Sequence, residues 1–207
     1  MSSEYNTFAQ DFSLTRARPW PEFEILFPFI KKRDRVLDLG CGNGRLRKFL
    51  DPELVPLGNY YGLDVSSELL KIARENHPSD HFFLSNFEKD LPFGADQFEI
   101  IAAVASFHHL LNTKDQKHFF TQCHRVLKSG GKLFITTWIL PGRYFWPNIL
   151  RGRWKNWIVP FGKDRHPRTY RRVSLKALRG MGQGAGFKVV EEKVFEGRNN
   201  VVVFEKV

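Results

Sequence analysis

With 207 residues, 42% of them hydrophobic and 26% charged, the chain is long enough to bury one good core without disulfides or metals, and its balance is that of an ordinary globular domain. No apolar run approaches the roughly eighteen residues of a membrane span, nothing near the start resembles a signal peptide, and two cysteines, Cys41 and Cys123, make neither a disulfide framework nor a metal-ligand spacing, so a cytoplasmic setting without a metal is expected. The net charge of +10 is concentrated in residues 143–179, where eleven Lys and Arg face Asp164 alone; elsewhere the charges cancel, so the excess makes a local field.

In chain order, residues 35–39 (RVLDL) read as a first strand that runs into CGNG and a helix through Phe49. Residues 60–64 (YYGLD) read as a second strand, and Ser66 stands where it would cap a helix over 67–76. Residues 81–84 give a third strand and 98–104 (FEIIAAV) a fourth, apolar enough to be buried on both faces. Over 115–127, Phe119, Phe120, Cys123, Val126 and Leu127 share one helical face, Gly130 and Gly131 stop that helix, and 132–138 (KLFITTW) is a fifth strand. A short, glycine-weakened helix follows over 174–186. Residues 188–195 and 200–206 are strands joined by 196–199 only. Parallel strands need a far longer crossover, so these form an antiparallel hairpin. Alternating β and α units that end in a hairpin predict a mostly parallel sheet with an antiparallel end.

The first strand ends in Asp38, and Gly40, Gly42 and Gly44 follow before the helix. Without β-carbons, backbone amides there can approach a ligand at a helix N-terminus; a tight βα turn with no ligand is the plainer alternative. Arg45 stands where a dinucleotide fingerprint would continue, and no Gly-Lys-Ser/Thr makes a Walker loop. Asp64 ends the second strand, where a carboxylate can accept both hydroxyls of a ribose. These features suit a nucleoside with little phosphate.

Asp38-x-Gly-x-Gly-x-Gly, Asp64, LPF at residues 91–93 and VLKSGGKLFI at 126–135 together resemble the class I S-adenosylmethionine-dependent methyltransferases, over roughly residues 33–138 plus the terminal hairpin. The resemblance implies a three-layer α/β sandwich: a seven-stranded, mostly parallel Rossmann-like sheet with an antiparallel C-terminal hairpin. It implies one domain, with 1–32 capping the site, 33–138 holding the cofactor, 139–179 forming a basic, aromatic substrate segment, and 180–207 completing the last helix and the hairpin. It also implies S-adenosylmethionine as cofactor. Gly40 and Gly42 would pass beside its methionine part, Asp64 would hold the ribose, and Asn86 and Phe87 would flank the adenine, with Asp38, Cys41 and Val65 as further cofactor-binding residues. Many relatives have Asp where this chain has Asn86, a mild departure because an amide oxygen can also accept from the adenine amino group. Tyr5, Trp20 and Ala105 would complete the cofactor site, Trp20 as a packing plug.

A sulfonium methyl is already electrophilic, so the protein mostly aligns an in-line displacement, which can contribute roughly 7–11 kcal/mol. Methylation at a pyrimidine carbon would need a thiolate, and neither Cys41 in the glycine loop nor Cys123 on an apolar helix face is placed for it. Amine methylation often goes with an Asn/Asp-Pro-Pro-aromatic tetrapeptide after the fourth strand, where this chain has ASFHHL. A carboxylate acceptor needs no base and is oriented by arginines, which are plentiful here. His108 and His109 are either substrate contacts or, in the plainer reading, one packs and the other caps a turn.

The N-terminal YNTFAQDFSLTRARPWPEF resembles the opening of the tRNA wobble-uridine carboxymethyl methyltransferases, through Tyr5, Asn6, Ala9, Phe12, Ser13, Thr15, Arg16, Pro19, Trp20 and Pro21. The HH pair, Trp138 and Arg168-Thr169-Tyr170 match the same family. The resemblance implies esterification of a carboxymethyl group on the first anticodon uridine of tRNA, with Arg16 and His109 as catalytic residues. Trp138, Arg143, Arg151, Arg153, Lys155, Arg168 and Tyr170 would bind substrate. Arg16 has a plainer role too, pairing with Glu22 or Glu24. Eukaryotic members work with a small activator protein, which makes such a protein a possible partner; the stretch between the fifth strand and Arg168 is shorter here than in them.

The basic segment interleaves its cations with Tyr144, Phe145, Trp146, Trp154, Trp157, Phe161 and Tyr170. Cations neutralise phosphates and rings stack on unpaired bases, a combination that fits an anticodon loop. Alternatively the rings form a lid over the cofactor, or the segment meets an anionic membrane surface. The expectation is therefore a methyltransferase of a carboxylate on tRNA; the alternatives are a methyltransferase of a small, acidic molecule and a non-catalytic RNA-binding module of the same fold.

Overall fold

The computed structural model describes residues 3–15, 18–162 and 164–207. A 3-10 turn over Ser3–Phe8 leads into α1 (Ala9–Leu14), and α2 (Phe23–Leu26) is followed by a second 3-10 turn. The core then alternates β1 (Val36–Leu39), α3 (Arg45–Phe49), β2 (Tyr60–Asp64), α4 (Ser67–Asn76), β3 (His81–Leu84), β4 (Phe98–Val104), α5 (Thr113–Val126) and β5 (Leu127–Trp138). Past α6 (Phe145–Ile149) come β6 (Asn156–Phe161) and β7 (His166–Arg171), then α7 (Leu175–Gly184), β8 (Phe187–Phe195) and β9 (Asn199–Lys206).

The main sheet has seven strands in the order β3-β2-β1-β4-β5-β9-β8. The pairs among β1 to β5 are parallel, and β9 enters antiparallel between β5 and β8. Successive strand residues feed opposite faces, as a period of two requires. Leu133, Ile135, Val202 and Phe204 join a cluster with Phe119, Phe120, Cys123 and Leu178 of α5 and α7. Phe134, Val201 and Val203 join Phe23, Leu26, Leu46, Leu70 and Ala73 on the other face, under α2, α3 and α4. These are the three layers expected from the sequence. The helix starts follow local chemistry: Ser66 accepts the Leu69 N–H at 3.2 Å and Asn112 the Asp115 N–H at 2.9 Å, each taking up an unpaired donor of the first turn.

Two expectations are corrected. The helix over α5 starts at Thr113 and ends at Val126, and Gly130–Gly131 do not terminate it, because β5 already begins at Leu127. The register jumps from Phe98 opposite Leu127 to Ile100 opposite Lys132, so the glycines lie in a bulge within the strand. A Cβ on Gly131 would press within 2.9 Å of the Lys128 and Glu99 carbonyls. The second correction concerns residues 139–173, for which no regular structure is expected from the sequence pattern. They fold into α6 and a separate two-stranded antiparallel sheet, β6-β7. Its period-two pattern places Trp157 opposite Tyr170 and Val159 opposite Arg168, and all four are buried.

Candidate active site

The strand order reverses between β1 and β4, and a crevice at such a switch point, beyond the carboxyl ends of the strands, is where open α/β sheets take ligands. A cavity of about 360 Å³ lies there, within the range of small-molecule sites. Its floor is the glycine loop. The Gly40 N–H donates to the Leu63 carbonyl at 2.7 Å, and φ is +81°. A Cβ at Gly40 would sit 2.5 Å from that of Ser106, so the loops after β1 and β4 touch only because this residue is glycine. Ser106 ties them further through Oγ to the Leu39 carbonyl at 2.5 Å, and Ala105 beside it takes a left-handed φ of +52° while its N–H donates to Thr136 Oγ1.

Asp64 organises this floor. Its Oδ2 accepts the Gly42 N–H and its Oδ1 the Ser66 N–H, both at 2.9 Å. Burial raises its pKa, and those N–H donors oppose the rise. Asp38 lies beneath the loop, where Oδ2 accepts from the Tyr60 hydroxyl at 2.5 Å and Oδ1 has no partner among the described residues. Burial pushes its carboxyl up to about 7.

The N-terminal segment closes one side. Asn6 Oδ1 accepts from Ser66 Oγ at 2.7 Å, Asn43 Nδ2 donates to Ser13 Oγ at 2.8 Å, and the Arg45 guanidinium lies 3.9 Å over the Trp20 ring. The Tyr5 hydroxyl is 3.2 Å from His109 Nε2. His109 is also hydrogen-bonded to the backbone of Thr169; burial, with the Arg168 charge, lowers its pKa to about 3, so the ring is neutral. His108 turns away from the cavity, fully buried, and its Nδ1 accepts the Trp138 N–H at 3.3 Å. One histidine packs and the other faces the cavity.

Opposite, β7 presents Arg168 and Tyr170. Arg168 is 4% exposed, and its guanidinium lies 4.4 Å over Phe161 and 5.2 Å over both Trp138 and Tyr170. Its polar contact is with Tyr5; Nε has no partner, and no carboxylate pairs with it among the described residues. Buried charges are normally paired, so a cation held by aromatic rings at a cavity wall is conspicuous.

Of the residues singled out in the sequence, Tyr5, Trp20, Gly40, Cys41, Gly42, Asp64, Val65, Ala105, His109, Trp138, Arg168 and Tyr170 line this one cavity. Asp38 lies below it. Asn86 and Phe87 are not among its walls: Asn86 bonds the Glu88 backbone and carboxylate, and Phe87 packs edge-on against Phe119 in the core. Arg143, Arg151, Arg153 and Lys155 also lie outside it, on the turns around α6. Arg16 falls outside the described residues. Sequence reading missed Asn43, Arg45 and Ser106 as lining residues. Arg45 stood out only as the residue that broke a glycine fingerprint, and Ser106 shows its place only through its contact with Gly40.

A family described as "Methyltransferase domain" matches residues 37–135. The chain is 27% identical over 172 residues to the tRNA (carboxymethyluridine(34)-5-O)-methyltransferase of Saccharomyces cerevisiae, covering 80% of this chain but only 58% of that protein. It is 30% identical over 167 residues to the 2-phytyl-1,4-naphtoquinone methyltransferase of Synechocystis, covering 78% of this chain and 67% of that one. Among solved structures, the complex between the Haloferax volcanii Trm112 methyltransferase activator and its methyltransferase matches with a TM-score of 0.71, 20% identity, and coverage of 98% of this chain and 95% of that chain, a likeness of fold. A glycine loop and Asp64 joined at the switch point of this sheet, with these relatives, identify the chain as a member of the class I S-adenosylmethionine-dependent methyltransferases.

Proposed function

We propose that this methyltransferase esterifies a carboxylate, and that the carboxylate belongs to a carboxymethyl-type uridine at the wobble position of a tRNA. The observation that carries the acceptor chemistry is Arg168, a buried guanidinium on the cavity wall with no carboxylate beside it among the described residues. An anionic acceptor would supply the missing partner, and a planar guanidinium is suited to orient it. The depressed His109 points the same way: a ring neutral down to about pH 3 is a weak base, and a carboxylate with a pKa near 4 needs none.

The residues fit the cofactor. The Gly40–Gly42 backbone faces the cavity, and Asp64, with both oxygens already engaged, keeps acceptor capacity for ribose hydroxyls. Asp38 Oδ1, buried without a partner, is an acceptor left over beneath the loop. When bound, S-adenosylmethionine supplies an electrophilic methyl group on its sulfonium. In this reading Gly40, Cys41, Gly42, Asp64, Val65 and Ala105 hold it, and Tyr5 and Trp20 exclude water above it. Arg168, Tyr170 and Trp138 grip the acceptor, and Tyr5 and His109 fix its approach.

Support for tRNA comes from the named yeast relative and from the basic segment. Its rings divide: Tyr170 is buried in the cavity wall and Trp157 is buried opposite it in the β6-β7 hairpin, whereas Trp146 and Trp154, each about two-thirds exposed, stand among Arg143, Arg151, Arg153 and Lys155 and are free to stack on bases. A small activator of the kind seen with the Haloferax neighbour is a proposed partner. No helix among the described residues is long and apolar enough to cross a membrane, and a cytoplasmic setting is part of the same proposal. A second reading, a small-molecule acceptor, is favoured by the naphthoquinone methyltransferase relative.

The test is methyl transfer from radiolabelled S-adenosylmethionine to bulk tRNA, with and without a candidate activator, followed by nucleoside digestion. Label in a uridine ester that mild base releases is the expected result. Label in a base-stable product, or transfer to a small molecule alone, would overturn the proposal.

A further inference from the structure

Outside the active site, a second depression of about 650 Å³ lies between α5 and α7. Lys117 lines it from α5, Lys176 from α7, and Arg171 and Arg172 from the end of β7, with no Asp or Glu on its walls. None of the four forms an ion pair among the described residues. Arg171 donates to the Leu111 carbonyl at 2.8 Å and to Thr113 Oγ1 at 3.0 Å, and the Arg172 guanidinium lies 4.7 Å over Trp157. Such clustering has an electrostatic cost within the fold, and no carboxylate on these walls offsets it.

The floor adds an independent observation. Lys176, Gly180 and Gly184 recur at the four-residue spacing of one helix face, flanked by Ala177 and Ala185. Glycine inside a helix costs backbone entropy, which is usually explained by a positive φ or by close packing. Gly182, on the opposite side of α7, has such a reason, because a Cβ there would run into the Phe204 ring. Gly180 and Gly184 have neither: their φ is not positive, and a Cβ at either would meet nothing within 4 Å. Both open toward the groove, so that, with Ala177 and Ala185, they leave a recessed strip of small residues between walls of positive charge, beside Val173 and Met181.

We propose that this groove is a track for the sugar–phosphate backbone of an RNA strand whose reacting nucleotide occupies the active site; it rests on the reading of the acceptor as tRNA. Strand β7 joins the two sites, since Arg168 and Tyr170 line the cavity while Arg171 and Arg172 line the groove. A polyanion fits better than a membrane surface. Membrane-binding segments project apolar side chains, whereas this floor is recessed and small, and the exposed Trp146, Leu150 and Trp154 lie elsewhere.

The experiment measures binding of a fluorescent anticodon stem-loop RNA to the full chain across a potassium chloride series. It compares the unsubstituted protein with Lys117→Ala/Lys176→Ala and, separately, with Gly180→Leu, which fills the floor without changing charge. Titration with S-adenosylmethionine and thermal unfolding confirm that each variant is folded. For the double variant, the slope of log K against log[salt] should shrink by about 1.4–1.8, at about 0.7–0.9 per phosphate contact, with an affinity loss of about tenfold or more. Gly180→Leu should weaken binding while keeping the slope. RNA binding with unchanged slope and affinity in the double variant overturns the groove and leaves the tRNA reading standing. Absence of salt-dependent RNA binding by the unsubstituted protein overturns both. Loss of binding to phosphatidylglycerol vesicles in the double variant, with RNA binding intact, overturns the groove in favour of a lipid surface.

Discussion

The Asp64 carboxylate accepts the Gly42 backbone N–H at 2.9 Å across 22 residues of sequence, so the glycine loop after β1 and the acid at the end of β2 are one structural unit. Its second oxygen takes the Ser66 N–H, which joins the N-terminus of α4 to the same unit. The residue proposed to hold the cofactor ribose therefore also shapes the loop beside it.

Asp64→Ala should then weaken cofactor binding twice, by removing the ribose acceptor and by releasing Gly42. Hydrogen bonds to a charged group contribute about 1.5–3 kcal/mol, so calorimetric titration with S-adenosylmethionine should show an affinity loss of about 10- to 100-fold. Asp64→Asn keeps an acceptor oxygen and should lose less. Equal affinity for Asp64→Ala and the unsubstituted protein would remove Asp64 from the site.

Arg168→Met should separate stability from activity. The guanidinium is buried over three rings without a carboxylate partner among the described residues, and exchange of an unpaired buried cation for an apolar side chain of similar length is neutral or stabilising. Urea unfolding should be unchanged or shifted upward. Meanwhile kcat/KM for the acceptor should fall about 100-fold, equivalent to about 2–3 kcal/mol of lost orientation. A variant that unfolds easily while its folded fraction keeps full activity would make Arg168 a structural residue.

Two groups at the site contribute to the pH dependence of stability with opposite signs. His109 binds a proton in the folded state only below about pH 3, whereas an unfolded histidine does so near 6.5. Between those values the unfolded state holds more protons, so this residue lowers stability as pH falls from 6.5, by up to about 1.4 kcal/mol per unit. Asp38 has the reverse sign. Folded, it keeps its proton up to about pH 7, and unfolded it loses it near 4, so it raises stability as pH falls from 7 toward 4. His109→Asn removes the first contribution only. Relative to the unsubstituted protein, the variant should gain about 2 kcal/mol between pH 6.5 and 5 in urea unfolding. Parallel stability curves would show that His109 titrates alike in both states.

Helix α7 should sort its glycines by position. Gly180→Ala and Gly184→Ala place a Cβ in open space, so each should stabilise the fold by up to about 1 kcal/mol in denaturant unfolding. Gly182→Ala drives a Cβ into Phe204 and should destabilise it by about 1–3 kcal/mol, the range for overpacked cores. Equal effects at all three positions would contradict the packing.

The core strands were legible because their signals are local: runs such as FEIIAAV read as buried strand from composition alone, and Ser66 caps α4 where its side chain and spacing require. The glycine loop and Asp64 were legible as separate motifs, and the terminal hairpin followed from a link too short for parallel strands. Less was visible around Gly130–Gly131, which read as a helix stop and form a bulge, because the pairing of β5 with β4 overrides local glycine preference. The β6-β7 hairpin was hidden for a related reason. Its alternation of buried Trp157 and Val159 with less buried neighbours lies within a run of cations that reads as solvated.

By itself, then, the sequence determined the alternation of strands and helices, the glycine loop after the first strand, the segregation of charge and the resemblance to a methyltransferase family. Tertiary structure alone decided which of those residues meet: that His109 rather than His108 faces the cavity, that Asn86 and Phe87 do not line it, that Arg168 is buried there without a carboxylate partner among the described residues, and that Lys117 of α5 shares a groove with Lys176 of α7. The physical reason is that propensity, capping and periodicity act within a few residues. Burial, electrostatic isolation and the shape of a cavity arise only when segments far apart in sequence are packed against one another.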